Sequence, residues 1–200
     1  TDKSLLGVQF YIMKHTEGAF LEWGYELVRE EFSGRAVVLS DLPEGHGPPG
    51  DGIVVGDRIA DAMFQDLLLR PEHIDMLVAP NLNGDYLSDA CAAQVGGLGL
   101  APGANLGEGR ALFESTHGTA PDIAGRDLAN PGSMILSGSM MLDHIGWSEA
   151  SRRIVGALES VLLSGRVTPD LVAGRADVEV LGTGGFAAAV IEAISGQEGT

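Results

Sequence analysis

Apolar residues recur along this chain at the spacing of helix faces, and short runs of Gly, Pro, Ser and Asn separate one stretch from the next. From Thr16 to Gly34, TEGAFLEWGYELVREEFSG sets Phe20, Trp23, Leu27 and Phe32 along one side of a predicted helix, with Thr16 as its cap and Ser33-Gly34 as its stop. Rings on such a stripe bury large areas, so it is read as packing, in the core or at a subunit contact. RAVVL (35–39) predicts a short strand. DLPEGHGPPGDG (41–52) predicts a Pro/Gly loop, in which His46 has no second metal ligand at a recognisable spacing. Asp57 is expected to cap a helix over DRIADAMFQDLLLRP, with Ile59, Met63 and Leu67 on one stripe and Asp61 in the first turn. IDMLVAP (74–80) then reads as a buried strand.

A glycine-dense stretch, GGLGLAPGANLGEG (96–109), interrupts the pattern. It lacks the Lys-Ser/Thr ending of a phosphate loop and does not present G-x-G-x-x-G ahead of a helix, so it is weak as a nucleotide motif. ALFEST (111–116) predicts a strand running into the loop HGTAPDIAG (117–125). Helices are expected over NPGSMILSGSMMLDHIGW (130–147), with Pro131 in its first turn, over SEASRRIVGALESVLLSG (148–165) and over GGFAAAVIEAIS (184–195). The methionines and small residues of the first of these suggest close packing. Strands alternating with helices place the chain in the α/β class. The composition shift around the glycine-dense stretch at 96–110 suggests a hinge or boundary there.

Composition narrows the function. Two hundred residues with 44% hydrophobic content support a real core. A formal charge of −16, with Lys3 and Lys14 the only lysines, argues against a nucleic-acid partner, whose phosphates need clustered cations. Cys91 is the single cysteine and cannot form an internal disulfide. No apolar run approaches the roughly 20 residues of a membrane span, and no signal-peptide pattern opens the chain, so the reading is a cytoplasmic protein with no membrane partner.

One stretch calls for chemistry. NLNGDYLSDACAA (81–93) sets Asp85 and Asp89 four positions apart on a helix expected to begin near Gly84, about 40° from each other around its axis. Leu87, Ala90 and Cys91 take the opposite side. Like charges at this spacing cost roughly 0.2–0.5 kcal/mol. A divalent ion would compensate them; a solvated acidic face in an acidic chain accounts for them equally.

Taken together, IMKHTEGAFLEWGYELVREEF, IADAMFQDLLLRP, NLNGDYLSDACAAQVGGLGLAPGANLGEG, FESTHGTAPDIAG and NPGSMILSGSMMLDHIGW resemble the metal-dependent isocitrate and isopropylmalate dehydrogenases, in order, from Ile12 onward. The TEGAF, LNGDY and NPGS wording is more similar to the isocitrate-using members; the others more often carry Phe at the position of Asn83. The resemblance implies the C-terminal half of that fold: part of a small dimerisation domain over 1–95 and part of a large α/β domain over 96–200. The activity it implies is oxidative decarboxylation of isocitrate, with 3-isopropylmalate or another small 2-hydroxy acid as the alternative substrate.

The same resemblance assigns residues. Asp85, with Asp89 near it and Asp61 contributed by a second subunit, would hold Mg2+ or Mn2+, hard cations that prefer carboxylate oxygen. His117, Gly118, Thr119, Ala120, Asp122, Ile123 and Asn130 would surround the adenosine end of a dinucleotide. Glu114 would lie near the nicotinamide, or else be a surface acid at a strand end. NADP-using relatives carry Lys and Tyr where Asp122 and Ile123 stand, and Tyr and Arg where Pro169 and Ala173 stand. A carboxylate at 122 would accept bonds from ribose hydroxyls and repel a 2′-phosphate, so NAD is expected over NADP, although Arg70 matches a position that can reach that phosphate across a dimer. The family's substrate-binding arginines and catalytic tyrosine belong to a half with no counterpart here. Gln9 and Tyr11 stand where the family has Lys and Asn, so no catalytic residue is assigned, and glutamine cannot replace a proton-accepting lysine. The implied partner is a second copy or a complementing N-terminal half. The chain is then part of a dehydrogenase, inactive alone, or a non-catalytic relative that keeps metal and nucleotide binding.

Overall fold

A computed structural model describes residues 4–8, 16–43 and 52–196. Gln9, Tyr11 and His46 lie outside them. The chain divides into two compact units, Thr1–Cys91 and Ala92–Thr200.

The first unit is built on parallel strands: β1 (Ser4–Val8), β2 (Ala36–Val38), β3 (Ile53–Arg58) and β4 (Met76–Val78), in the spatial order β2-β3-β1-β4. Helix α1 (Thr16–Glu31) lies between β1 and β2 along the chain, and α2 (Ala60–Leu69) between β3 and β4, each connection skipping one strand, as crossovers between parallel strands of one sheet allow. Val28 of α1 packs with Val38 and Val55 of the sheet. Ala60, Met63 and Leu67 of α2 form a second buried cluster with Leu87 of α3 (Asn81–Gln94).

Two expectations are corrected in this unit and one is narrowed. Asp57 does not cap α2; it lies in β3, opposite Gly7, and its carboxylate accepts the Tyr25 hydroxyl at 2.5 Å. The β-branched run Ile53-Val54-Val55 pairs with strands on both sides and carries the extended backbone through Arg58, so the helix starts only at Ala60, behind an Ile59 that makes no side-chain cap. The strand in IDMLVAP shortens to Met76–Val78 and is not buried, because it forms the sheet edge among the described residues and leaves Met76 and Val78 exposed. The aromatic stripe of α1 is not core within one chain, with Trp23 67% exposed and Leu27 and Phe32 also outside it, which leaves the subunit-contact alternative of that reading.

In the second unit the glycine-dense stretch forms a strand that its composition hides. β5 (Pro102–Gly107) and β6 (Arg110–Ser115) make an antiparallel hairpin in continuous register from Pro102↔Ser115 to Gly107↔Arg110. Helices α4 (Gly132–His144), α5 (Ser148–Leu163) and α6 (Thr183–Gly196) follow, with a two-residue parallel pair, β7 (Arg166–Val167) and β8 (Glu179–Val180), between the last two. Ala157, Leu158 and Val161 of α5 pack with Phe186, Ala189 and Val190 of α6, and Phe186 is fully buried.

Serines fasten α4 to the hairpin. Ser133 Oγ donates to the Ala101 carbonyl at 2.5 Å and accepts the Thr116 N–H at 3.2 Å. Ser137 Oγ lies 2.7 Å from the Glu114 carbonyl and accepts the Gly103 N–H at 3.2 Å. The small residues of α4 are the buried ones, as expected, but Met134, Met140 and Met141 face outward. Among the described residues no helix is long and apolar enough to cross a membrane.

Candidate functional site

The acidic residues singled out by sequence sit on the first unit's helices. α3 begins at Asn81, earlier than Gly84, because the Gly84 N–H already bonds the Pro80 carbonyl at 2.8 Å. Asp85 and Asp89 are exposed on successive turns, while Leu87 is buried and Cys91 half-buried against the α2 core. Burial pushes the Cys91 thiol up. Asp61 is exposed in the first turn of α2, where its carboxylate accepts the Ala62 N–H at 2.6 Å. Among the described residues no three acidic, His or Cys side chains gather as a metal site, so one copy does not bring Asp61 together with Asp85 and Asp89. No side chain among those residues is paired with the Asp85 or Asp89 carboxylate, leaving hard oxygen donors of the kind Mg2+ and Mn2+ take.

Asp66, one turn further along α2 and 7% exposed, shows what compensation of a carboxylate looks like. Its two oxygens accept Arg58 Nε at 2.7 Å and Arg70 Nη2 at 2.5 Å. The Arg58 hydrogen bond, with that of Arg70, holds the Asp66 carboxyl below the usual range. Arg70 is therefore already engaged within its own chain. Beside α1, Phe20, Trp23, Tyr25, Leu27, Phe32 and Val55 line an open apolar cavity of about 540 Å³.

The second unit holds a cavity of about 540 Å³ built on the loop between β6 and α4. His117, Gly118, Thr119, Ala120, Ile123 and Asn130 line it, all of them read from the sequence as nucleotide contacts. The loop turns sharply: Ala120 has φ 41°, Pro121–Ile123 form a 3-10 turn, and Asp127 has φ 55°. His117 Nδ1 lies 3.0 Å from the Gly118 carbonyl, a contact in which a proton on Nδ1 would be donated to that oxygen. Asp122 is exposed on the turn but does not line the cavity; Arg126 Nη1 reaches its carbonyl at 3.4 Å. Glu114 stands outside the cavity as well, exposed on β6, where it accepts Asn105 Nδ2 at 2.7 Å.

Asn130 is 6% exposed and its amide is committed on both sides. Oδ1 accepts the Gly132 N–H at 2.8 Å, satisfying a donor at the start of α4, and Nδ2 donates to Asp170 Oδ2 at 3.0 Å. Thr168 Oγ1 donates to Asp170 Oδ1 at 2.5 Å. Gly99 is needed beneath this pair, since a Cβ there would stand 2.7 Å from the Asn130 Cβ. Asp127, Asp170 and Thr183 also line the cavity and were not singled out by the sequence. The partners of Asp127 and Asp170 lie 57 and 40 residues away, a separation no local pattern signals. The charged residues lining the cavity are carboxylates, with no Lys or Arg among them.

The family model described as isocitrate/isopropylmalate dehydrogenase matches residues 48–190. "Isocitrate dehydrogenase [NADP]" of Archaeoglobus fulgidus is 49% identical over 183 residues, covering 90% of this chain and 44% of that protein. The protein of the same name from Pseudomonas aeruginosa is 52% identical over 160 residues, or 80% of this chain and 38% of its own length. The crystal structure of isocitrate dehydrogenase from Methylococcus capsulatus superposes with TM-score 0.80 at 41% identity, covering 96% of this chain and 50% of that one. The chain thus spans about two fifths of the length of the curated relatives it matches.

Proposed function

We propose a function on the premise that this chain belongs to the isocitrate/isopropylmalate dehydrogenase family: it supplies the dinucleotide site and part of the metal site of an enzyme that oxidises and decarboxylates isocitrate. The single observation that carries the reading is the 540 Å³ cavity on the HGTAPDIAG loop, which residues of one chain build without help. Its volume, mostly apolar walls and a few fixed polar groups suit a nucleoside. Asp85 and Asp89, with Asp61 of a second copy, would hold Mg2+ or Mn2+. When bound, such an ion polarises the substrate's oxygen and stabilises the negative charge left by loss of CO2.

The relatives' names carry NADP, and cofactor choice is where this chain is proposed to differ. Asp127 and Asp170 line the cavity and Asp122 stands beside it, so a 2′-phosphate would meet carboxylates and no lining cation. Like charges at close range in a partly desolvated site oppose binding, whereas free ribose hydroxyls can donate to the same oxygens. NAD is the cofactor this arrangement favours. Arg70 does not alter the balance within a copy, because Asp66 already holds it.

A second reading, a non-catalytic relative that binds nucleotide and metal, is favoured by Gln9 and Tyr11 in the sequence. The test is NADH formation from isocitrate with Mg2+, by this chain alone and with the N-terminal half of a relative. Turnover in the mixture supports the enzyme; bound NAD without turnover in either supports the second reading.

A further inference from the structure

We infer that Asp127 is a positioning residue that sets the shape of the nucleotide cavity by latching its loop to α6; the inference rests on the reading of that cavity as the dinucleotide site. Asp127 combines a left-handed backbone with two bonds to a distant helix. Its backbone is left-handed, with φ 55°, a conformation costly for most residues and tolerated by Asp and Asn. That conformation turns both its carbonyl and its carboxylate toward the first turn of α6, 57 residues on.

The first N–H groups of a helix have no acceptor inside it. Here the loop supplies them. The Thr183 N–H donates to the Asp127 carbonyl at 3.2 Å, and the Gly184 N–H donates to Asp127 Oδ1 at 2.9 Å. Thr183 Oγ1 returns a bond to the Ala129 carbonyl at 2.5 Å. A carboxylate at this end of a helix is further favoured by the helix dipole. The fit is close: a Cβ on Gly182 would stand 2.7 Å from the Asp127 Cγ and 2.8 Å from its carbonyl oxygen, so glycine at 182 is what allows the loop to approach.

Geometry makes this more than a helix cap. The loop is tied to α4 at both ends, by Ser133 to Thr116 and by Asn130 to Gly132. Asp127 ties the stretch between to a different helix, and Asp127 and Thr183 are themselves cavity walls. Without the Asp127 carboxylate, the wall from Gly125 to Ala129 loses its side-chain bond to α6 and is held there only by the Asp127 and Ala129 carbonyls, while both ends stay in place. The cavity then changes shape without the fold being lost.

The test is NAD binding by calorimetry on the full chain, with circular dichroism and amide hydrogen exchange on the same samples. Asp127→Ala, which removes the side-chain acceptor of Gly184 and leaves a strained left-handed alanine, is expected to weaken NAD by about tenfold with helix content unchanged. Asp127→Asn keeps an oxygen acceptor and tolerates the backbone, and is expected to recover affinity to within about threefold of the parent. Gly182→Ala, which displaces Asp127 from the α6 side, is expected to weaken NAD in the same direction. A merely structural cap would lower the melting temperature of Asp127→Ala and leave NAD affinity at the parent value; that result overturns the inference. If the parent chain does not bind NAD, the dinucleotide reading fails separately, and exchange decides on the latch. Faster exchange at Thr183, Gly184 and residues 125–129 in Asp127→Ala supports it, and unchanged exchange overturns it.

Discussion

The two units carry their chemistry in opposite ways. In the second, the cavity wall is closed on itself: Asn130, Asp170 and Thr168 bond one another, Asp127 bonds α6, and the serines of α4 hold the hairpin. In the first, Asp61, Asp85 and Asp89 point to solvent from two helices, and the apolar stripe beside α1 lies open. A nucleoside can be held by one folded unit. A small cation that demands several oxygen ligands cannot be held by acids that a single copy keeps apart. On the proposed function, the difference would separate a site that folding completes from one that association completes.

The largest effect expected concerns the ion. Asp85→Asn should abolish Mn2+ binding in calorimetry, and in the parent chain Mn2+ affinity should fall on dilution while NAD affinity does not, since only the former depends on a second copy. Concentration-independent Mn2+ affinity would break the comparison. Next comes Phe186→Ala. Emptying the fully buried position at the centre of α5–α6 packing should cost about 3–5 kcal/mol in urea unfolding and remove NAD binding. NAD affinity kept at full strength would mean that the cavity does not depend on this core.

A smaller, directional effect is expected from Asp122→Lys. It should lower NAD and raise NADP affinity by about tenfold each, the size of one charge reversal at a partly exposed site, read by parallel titrations. An unaltered ratio would remove the charge argument for NAD. The smallest effect is a pH slope. The Asp66 carboxyl is held below the usual value of 3.8 in the folded chain, so its stabilisation is complete above that value and is lost as pH falls through the lower folded one. The melting temperature of the parent should therefore drop more steeply below about pH 4 than that of Asp66→Asn. Equal slopes would show that the Arg58–Asp66–Arg70 cluster contributes no linkage.

How far the sequence could be read follows from how far apart the partners lie. Helices α1, α4, α5 and α6 were legible because their periodicity is written within a few turns. β3 was hidden by its polar end: Gly56-Asp57-Arg58 looks like a helix start until parallel neighbours claim the backbone. β5 was hidden by proline and glycine that its hairpin partner tolerates. That His117, Gly118, Thr119, Ala120 and Ile123 belong to one loop is written in adjacent residues, whereas Asp127 and Asp170 gain their place beside them only through bonds to distant segments. The open face of α1 shows the converse limit, since periodicity tells which side is apolar and not what covers it.

Strand β4 bears on handling the chain in the laboratory. Among the described residues it is the sheet's outer rail, three residues of Met76-Leu77-Val78 with no lysine, proline or bulge to discourage a newcomer. Open rails can recruit strands from other molecules, and the brevity of this one, three residues, is what limits that hazard. Lysine at position 76, where the side chain already faces water, is the conservative remedy.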